Sequence, residues 1–210
     1  MKAKDISEFF KRLQAQNPSP KSDLEWTNPF TLLVAVVLSA QATDSGVNKA
    51  TKNLFPIADT PEKMRALGLE GLKSHLKTLN FYNTKAKNVL ALCERLMTEH
   101  HSTVPETREA LMALPGVGRK TANVVLNIVF QEPTMAVDTH IFRVGNRTGM
   151  AQGKNPEEVE QALLKVVPAG FALHAHHWLI LHGRYTCKAR APLCGTCPVF
   201  DLCGWKEKKA

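Results

Sequence analysis

A lysine and two glycines stand together in LPGVGRKTANVV, residues 114–125, and suggest two kinds of chemistry. The letters GVGRKT resemble a nucleotide-phosphate loop, but that motif needs a glycine directly before the lysine, another six residues before it, and a preceding strand. Arg119 and Leu114 occupy those two positions, and the preceding TREALMAL has helical periodicity. The sequence therefore excludes a phosphate-loop kinase or ATPase and leaves Lys120 as an anion contact or an amine nucleophile.

The glycines predict a tight turn between two helices, because apolar periodicity stops near Leu114 and resumes after Arg119. Gly116 and Gly118 permit positive φ and the close approach of another backbone. We expect the amides of residues 117–120 to point outward at the start of the second helix, where they would bind an anion. The turn is either an ordinary connection or a grip on a DNA backbone phosphate, and the Arg-Lys-Thr run favours the grip.

Lys120 and Asp138 are the candidate reactive residues. Both the helix dipole and neighbouring Arg119 disfavour a cation at Lys120, which favours the free amine of a nucleophile, although a salt bridge to phosphate fits the spacing equally well. Asp138, in VDTHIFRV, stands where a helix N-cap is expected, and a capping carboxylate can also accept a proton or balance a developing cation. His140 and Arg143 follow on the same helix, where a lone histidine is more often structural than catalytic.

A cysteine box near the C-terminus predicts a metal centre. Its spacing is C-x6-C-x2-C-x5-C, formed by Cys187, Cys194, Cys197 and Cys203. Disulfides are unlikely to persist in a reducing compartment, whereas a metal can fold so short a segment. Four-cysteine zinc sites usually have two Cys-x-x-Cys knuckles and this segment has one, so the uneven spacing favours an iron–sulfur cluster over zinc. Cys93 lies apart, in a helical segment, and is expected in the core.

The charge of the chain indicates a polyanionic partner. Lys and Arg number 27 against 19 Asp and Glu, which gives a net charge of +8 and a pI near 9.3. A generic basic surface is the alternative. Arg184, Lys188 and Arg190 gather around the first cysteine of the box, where a metal-stabilised loop would present them to phosphates.

The elements that position these residues are helical. Apolar residues recur at helical spacing in almost every segment, Pro and Gly clusters interrupt them, and no alternating strand pattern is present. We predict an all-α protein of about ten helices, with a hinge in residues 131–138. The apolar segment 29–40 predicts a buried helix, since a membrane span needs about 20 residues. The amphipathic N-terminus contains acids and predicts no signal peptide, so an intracellular protein is expected.

Three segments together closely resemble the endonuclease III family of bacterial helix-hairpin-helix DNA glycosylases. They are LSAQATD (residues 38–44), LPGVGRKTANVV with VDTHIFRV, and the cysteine box. The resemblance implies a two-domain fold: a six-helix barrel domain with the hairpin over residues 22–132, and a cluster domain over 1–21 and 133–210. In that family DNA lies across the cleft between the domains.

The resemblance also implies roles for individual residues. Lys120 would be the nucleophile, Asp138 the catalytic aspartate, and the four cysteines of the box the ligands of one [4Fe-4S] cluster. Gln41 would fill the gap left by an extruded nucleotide. The expected DNA-binding residues are Gln41, Pro115, Gly116, Val117, Gly118, Arg119, Thr121, His140, Arg143, Arg184, Lys188 and Arg190.

The implied activity is base-excision DNA repair by a bifunctional enzyme. Its glycosylase would remove oxidised pyrimidines of the thymine glycol type, and its AP lyase would cut 3′ to the abasic site by β-elimination through a Lys120 Schiff base. Expected partners are double-stranded DNA with damaged bases or abasic sites, and no membrane or nucleotide cofactor. A monomer in the bacterial cytoplasm, associated with the nucleoid, is expected.

Two alternatives remain open at this point. Adenine glycosylases of the same superfamily share the cluster and the aspartate, but they typically lack a lysine at the position of Lys120. A non-catalytic DNA-binding module would use the hairpin and the metal loop only to hold the DNA backbone.

Overall fold

The computed structural model describes residues 1–209, which contain eleven α-helices and no β-strand. The all-α prediction is therefore confirmed for the described residues. The helices are α1 (Ala3–Gln16), α2 (Pro29–Leu38), α3 (Asp44–Thr51), α4 (Pro61–Ala66), α5 (Gly68–Leu76), α6 (Tyr82–Glu99), α7 (Arg108–Ala113), α8 (Arg119–Phe130), α9 (Thr139–Thr148), α10 (Pro156–Val166) and α11 (Ala172–Leu181). Two 3₁₀ turns, Ala169–Phe171 and Cys194–Thr196, and a π-helical turn, His182–Thr186, complete the structure.

Helix α2 forms the buried helix that the apolar segment predicts. Asn28 caps it in a capping box: its Oδ1 accepts from the Thr31 amide at 2.9 Å, and the Thr31 hydroxyl oxygen accepts from the Asn28 amide at 3.0 Å. Pro29 occupies the first helical position, where its missing N–H costs nothing. Every residue of the helix after Pro29 is buried. No helix within residues 1–209 is long and apolar enough to span a bilayer.

The chain divides into two compact units. The hairpin unit is Ser22–Phe130 and holds α2 to α8. Helix α2 packs against α3, α6 and α8, and α6 also packs against α4 and α5. Cys93 is completely buried in this core, as the sequence predicts.

The cysteine unit comprises Met1–Lys21 and the segment that begins at Gln131. Helix α9 packs against α10, α11 and the π-helical turn, and α1 packs against α11. Phe9 and Phe10 of α1 are completely buried, and Trp178 of α11 donates from its indole nitrogen to the Asn17 carbonyl at 2.8 Å. The assignment of residues 22–132 to a barrel domain and of 1–21 with 133–210 to a cluster domain stays a prediction.

Candidate active site and metal centre

The glycine turn joins α7 to α8, as the sequence predicts. Helix α7 ends at Ala113, and the Val117 amide donates to the Leu114 carbonyl at 3.1 Å to close the turn. Gly116 has φ of +78°, the left-handed conformation that glycine adopts most easily. Gly118 does not adopt the positive φ that glycine permits, and a Cβ there would meet no atom within 4 Å.

The amides without a helical acceptor begin at Gly118, one residue later than the expected start at Val117. The Val117 amide is used inside the turn, and its side chain is buried, so Val117 anchors the turn in the core. The first helical hydrogen bond of α8 runs from the Ala122 amide to the Gly118 carbonyl at 2.9 Å. The amides of Gly118, Lys120 and Thr121 precede it and have no helical acceptor, which is the arrangement that binds an anion.

Lys120 is exposed in the first turn of α8. That turn contains no acidic residue that could pair with the lysine locally. Arg119 beside it is half-buried and has interactions of its own. Lys120 is therefore an exposed cation with no acidic residue in its own helical turn.

An internal hydrogen bond ties the two helices of the hairpin together. Arg108, the first residue of α7, donates from Nε to Asn123 Oδ1 at 2.8 Å. Asn123 lies on α8 and is completely buried. Sequence reasoning missed this pair, although an asparagine in the apolar run ANVVLNIVF was a signal that a buried partner was needed.

Three exposed non-glycine residues of the hairpin unit, Gln41, Phe81 and His101, have left-handed backbones. Gln41 follows α2 with φ of 53°, and Phe81 is the N-cap of α6 with φ of 57°. Phe81 exposes 65% of its surface, which is unusual for an aromatic side chain. Non-glycine residues in this conformation cluster at functional sites. The sequence indicated Gln41 but gave no indication of Phe81 beyond its place between two helical segments.

Asp138 lies in the cysteine unit and caps α9. Its Oδ1 accepts from the amides of His140 and Ile141, both at 2.9 Å. The predicted N-cap is confirmed. Because both bonds end on Oδ1, the capping role leaves Oδ2 of this half-buried carboxylate available for chemistry.

Arg143 binds main-chain carbonyls on the segment that leads into the cysteine box. Its Nε donates to the Cys187 carbonyl at 3.0 Å and its Nη2 to the Gly183 carbonyl at 2.7 Å, with His140 Nδ1 at 3.3 Å from Nη2. These bonds fix the π-helical turn against α9. The DNA contacts expected of Arg143 and His140 stay predictions.

Arg147 lies one turn further along α9 and holds the loop between the first two cysteines. Nη1 donates to the Lys188 carbonyl at 2.7 Å and Nη2 to the Ala189 carbonyl at 3.0 Å. Its guanidinium also lies 4.3 Å from the centroid of the Trp205 ring. Sequence reasoning did not find these contacts of Arg147. The carbonyl acceptors are 41 and 42 residues away, beyond any local pattern.

The four cysteines line one cavity. Its volume, counted to its open mouth, is about 360 Å³, and its other walls include the apolar side chains of Val199 and Trp205. The cysteines are Cys187, Cys194, Cys197 and Cys203. Four thiols around a shared space fit a cubane, which needs one thiolate for each iron. Within residues 1–209, no three His, Cys, Asp or Glu side chains lie close enough together to hold a single metal ion, so the four cysteines surround a space wider than a one-metal site.

A buried histidine adjoins the cavity. Nε2 of His182 lies 4.0 Å from the sulfur of Cys197. Burial lowers the pKa of His182 to about 4, so the ring is uncharged at neutral pH. Burial also raises the pKa of the Cys197 thiol, and a metal must therefore replace its proton.

The basic side chains expected to contact DNA differ in exposure. Lys188 and Arg190 are exposed on the loop that Arg147 holds, next to Ala191, which has φ of 47°. Arg184 is half-buried within the π-helical turn and has interactions of its own. The structure thus gathers Lys188 and Arg190 on one loop, and Pro115 to Thr121 on one hairpin.

Comparison with known families matches two segments of the chain. Residues 34–169 match the model of the HhH-GPD superfamily base excision DNA repair protein. Residues 187–203, which contain the whole cysteine box, match the iron-sulfur binding domain of endonuclease III. This match identifies the metal centre as a [4Fe-4S] cluster and decides against zinc.

Full-length relatives and a solved structure agree with these matches. Endonuclease III of Escherichia coli K12 is 60% identical over 207 residues, which cover 99% of this chain and 98% of the relative. Endonuclease III of Haemophilus influenzae is 60% identical over 201 residues, covering 96% and 95%. A trapped endonuclease III–DNA covalent intermediate has a TM-score of 0.90 at 42% identity, covering 97% of this chain and 96% of that one. The chain therefore belongs to the endonuclease III family of the HhH-GPD superfamily of base-excision DNA repair proteins.

Proposed function

We propose that this chain removes oxidised pyrimidines of the thymine glycol type from double-stranded DNA and cuts the strand 3′ to the abasic site, with Lys120 as nucleophile. The chain is a DNA glycosylase and AP lyase of base-excision repair, as its family membership establishes. The observation that supports the finer proposal is that Lys120 is exposed in the first turn of α8, next to main-chain amides that have no helical acceptor. A phosphate held by those amides would bring a deoxyribose within reach of the amine.

The covalent step uses the lone pair of the Lys120 amine. The amine attacks C1′ of the damaged nucleotide, the glycosidic C–N bond breaks, and the base leaves with the bonding electrons and takes up a proton. Ring opening gives an imine between Nζ and C1′. The imine acidifies the C2′ hydrogen, and its removal expels the 3′ phosphate by β-elimination. An amine is required because only an amine forms this imine. A covalent protein–DNA intermediate trapped in a relative supports the proposal.

Asp138 would balance charge and accept a proton in this sequence. Its Oδ2 is not used by the helix cap, and its Oδ1 is fixed by two amides, so the carboxylate is oriented before substrate binds. The carboxylate would stabilise the cationic sugar as the base leaves, and would accept the proton that Lys120 loses on forming the imine.

The remaining residues would hold and open the duplex. The amides of Gly118 and Thr121 would bind one backbone phosphate, and the exposed Lys188 and Arg190 would neutralise others. Gln41 would occupy the space of the flipped nucleotide. The cluster, when bound by its four cysteines, ties the basic loop into a fixed shape.

Damaged bases are extruded more cheaply than normal ones because they stack and pair poorly. The partner is therefore duplex DNA that carries a damaged base or an abasic site. We propose that one chain suffices and that no nucleotide cofactor takes part, since the amine, the carboxylate and the phosphate donors all belong to this chain.

Incision of labelled duplexes tests the substrate assignment. Four duplexes are compared: one with thymine glycol, one with an abasic site, one undamaged, and one with adenine opposite 8-oxoguanine. We expect incision of the first two, with a 3′ unsaturated aldehyde end, and no incision of the others. Excision of adenine without incision at thymine glycol would overturn the proposal in favour of an adenine glycosylase.

A further inference from the structure

We propose that helix α6 sets the position of the hairpin, defined as Arg108–Phe130, and that Asn88 and Arg95 are its positioning residues. The inference rests on the proposed function, because phosphate binding by the hairpin is part of it. It explains how the turn amides and Lys120 keep a fixed position in the hairpin unit.

The first contact joins Asn88 to the glycine turn. A Cβ built on Gly116 would lie 3.2 Å from Asn88 Cβ, 3.2 Å from Asn88 Nδ2 and 3.2 Å from Val37 Cγ1. These distances are tighter than most real Cβ contacts. Asn88 therefore leaves too little room for a side chain at position 116. The backbone of the turn rests directly on α6 on one side and on α2 on the other.

The second contact joins Arg95 to the helix before the turn. Its Nη1 donates to the carbonyl of Ala113 at 2.6 Å, and its Nε donates to Glu99 Oε1 at 2.8 Å. Ala113 is the last residue of α7, and carbonyls at a helix end lack a helical donor. A guanidinium at this end also interacts favourably with the helix dipole. Arg95 therefore fixes the point at which the chain enters the turn.

The two positioning residues share one face of α6. They are seven residues apart, about two helical turns. Leu92 lies between them on that face and is completely buried. The hairpin is thus held at the end of α7 by Arg95 and at the turn by Asn88, against a helix of 18 residues.

Correct placement matters because the phosphate donors are main-chain amides. The groups of a binding site must be held within about 0.5 Å of the geometry that binds the ligand. A main-chain amide cannot move toward a phosphate as the end of a long side chain can. If Asn88 is truncated, the turn can settle into the vacated space. The phosphate contact at Gly118 then weakens, while the carboxylate of Asp138 in the other unit is unchanged.

Binding of a duplex with a tetrahydrofuran abasic analogue tests the proposal. We expect Asn88→Ala to raise the Kd about tenfold, because the contact between the turn amides and the phosphate weakens. The borohydride trapping rate at saturating abasic DNA should stay within about twofold, since this step follows binding. Thr98→Ala is the control, because this exposed α6 hydroxyl donates to the Glu94 carbonyl of its own helix. A residue that served stability alone would lower Tm and leave the Kd of the folded protein unchanged.

A double-mutant cycle isolates the Asn88–Gly116 contact. Gly116→Ala is strained by its positive φ in any background, and that strain cancels in the cycle. We expect the Kd penalty of Gly116→Ala to be at least about threefold smaller in the Asn88→Ala background, because the new methyl group then has room. Additive Kd changes, or a wild-type Kd in folded Asn88→Ala, would overturn the positioning proposal. If wild-type protein neither incises nor traps abasic DNA, the proposed function itself fails, whatever Asn88 does.

Discussion

The Nη1 atom of Arg147 donates a 2.7 Å hydrogen bond to the main-chain carbonyl of Lys188. Arg147 lies on α9, the helix that Asp138 caps, and Lys188 lies on the loop between the first two cysteines. The helix that starts at the proposed catalytic carboxylate therefore also holds the basic loop. Loss of this bond should affect the loop without removing any charge that contacts DNA in our proposal.

Arg147→Ala should weaken both folding and DNA binding. Two carbonyls lose a charged donor, and we expect a loss of about 1–2 kcal/mol in the free energy of unfolding. Because the loop then moves, the Kd for duplex DNA should rise several-fold. Urea unfolding and binding titrations measure the two effects. Arg65→Ala is the control, since its ion pair with Glu94 is exposed and contributes about 0–1 kcal/mol. Unchanged Kd for Arg147→Ala would show that the loop does not contact DNA.

Asp138→Asn should separate the capping role of this residue from its chemical role. Asparagine caps helices about as well as aspartate, so the free energy of unfolding should change by less than about 0.5 kcal/mol. The glycosylase rate should fall by about 10²–10⁴ because the amide neither balances charge nor accepts a proton. Asp138→Ala should lose the cap as well, by about 1 kcal/mol. A fully active Asp138→Asn enzyme would remove Asp138 from the mechanism.

Local features of the site could be predicted from sequence, and long-range ones could not. The hairpin, the Asp138 cap and the buried Cys93 follow from residue types over a few positions. Asn88 is 28 residues from Gly116, and Arg147 is 41 from Lys188, so only the packed structure brings them together. The sequence also could not show which glycine of the turn adopts positive φ, because both Gly116 and Gly118 permit it. In the structure Gly116 has the positive φ, and it packs against Asn88.

Cys197→Ser should remove the cluster, whereas Cys93→Ala should keep it. Loss of one of four thiolates should abolish absorbance near ~400 nm and make residues 187–209 sensitive to protease. Cys93 is completely buried in the hairpin unit, so Cys93→Ala should cost about 1 kcal/mol of stability and leave the spectrum unchanged. Absorbance and iron content measure the outcome. A colourless Cys93→Ala protein would mean that the ligand set is wrong.

Lys85→Met should stabilise the protein at neutral pH. Nζ of Lys85 is enclosed without a hydrogen-bond partner among residues 1–209, and burial lowers the pKa of this lysine from its ordinary 10.5. A buried unpaired polar group costs about 1–3 kcal/mol, which methionine avoids. The unfolded chain binds this proton more tightly, so wild-type stability should rise with pH from the folded pKa up to 10.5.

Urea unfolding between neutral and alkaline pH measures this prediction. The alkaline rise in stability should be smaller in Lys85→Met than in wild type. Lys87→Met, an exposed neighbour on α6, should leave both the stability and its pH dependence near wild type. If Lys85→Met is less stable than wild type at every pH, the ammonium has a favourable partner.

Borohydride trapping on abasic duplex DNA tests the central claim, that Lys120 is the nucleophile. Wild type and Lys63→Gln should form a covalent protein–DNA complex, and Lys120→Gln should form none while still binding the duplex. Lys63 is the control, since it is an exposed lysine of helix α4 that pairs with Asp59 at 2.8 Å. Peptide mapping of the wild-type complex should place the adduct on Lys120. Trapping by Lys120→Gln at the wild-type rate would contradict the account.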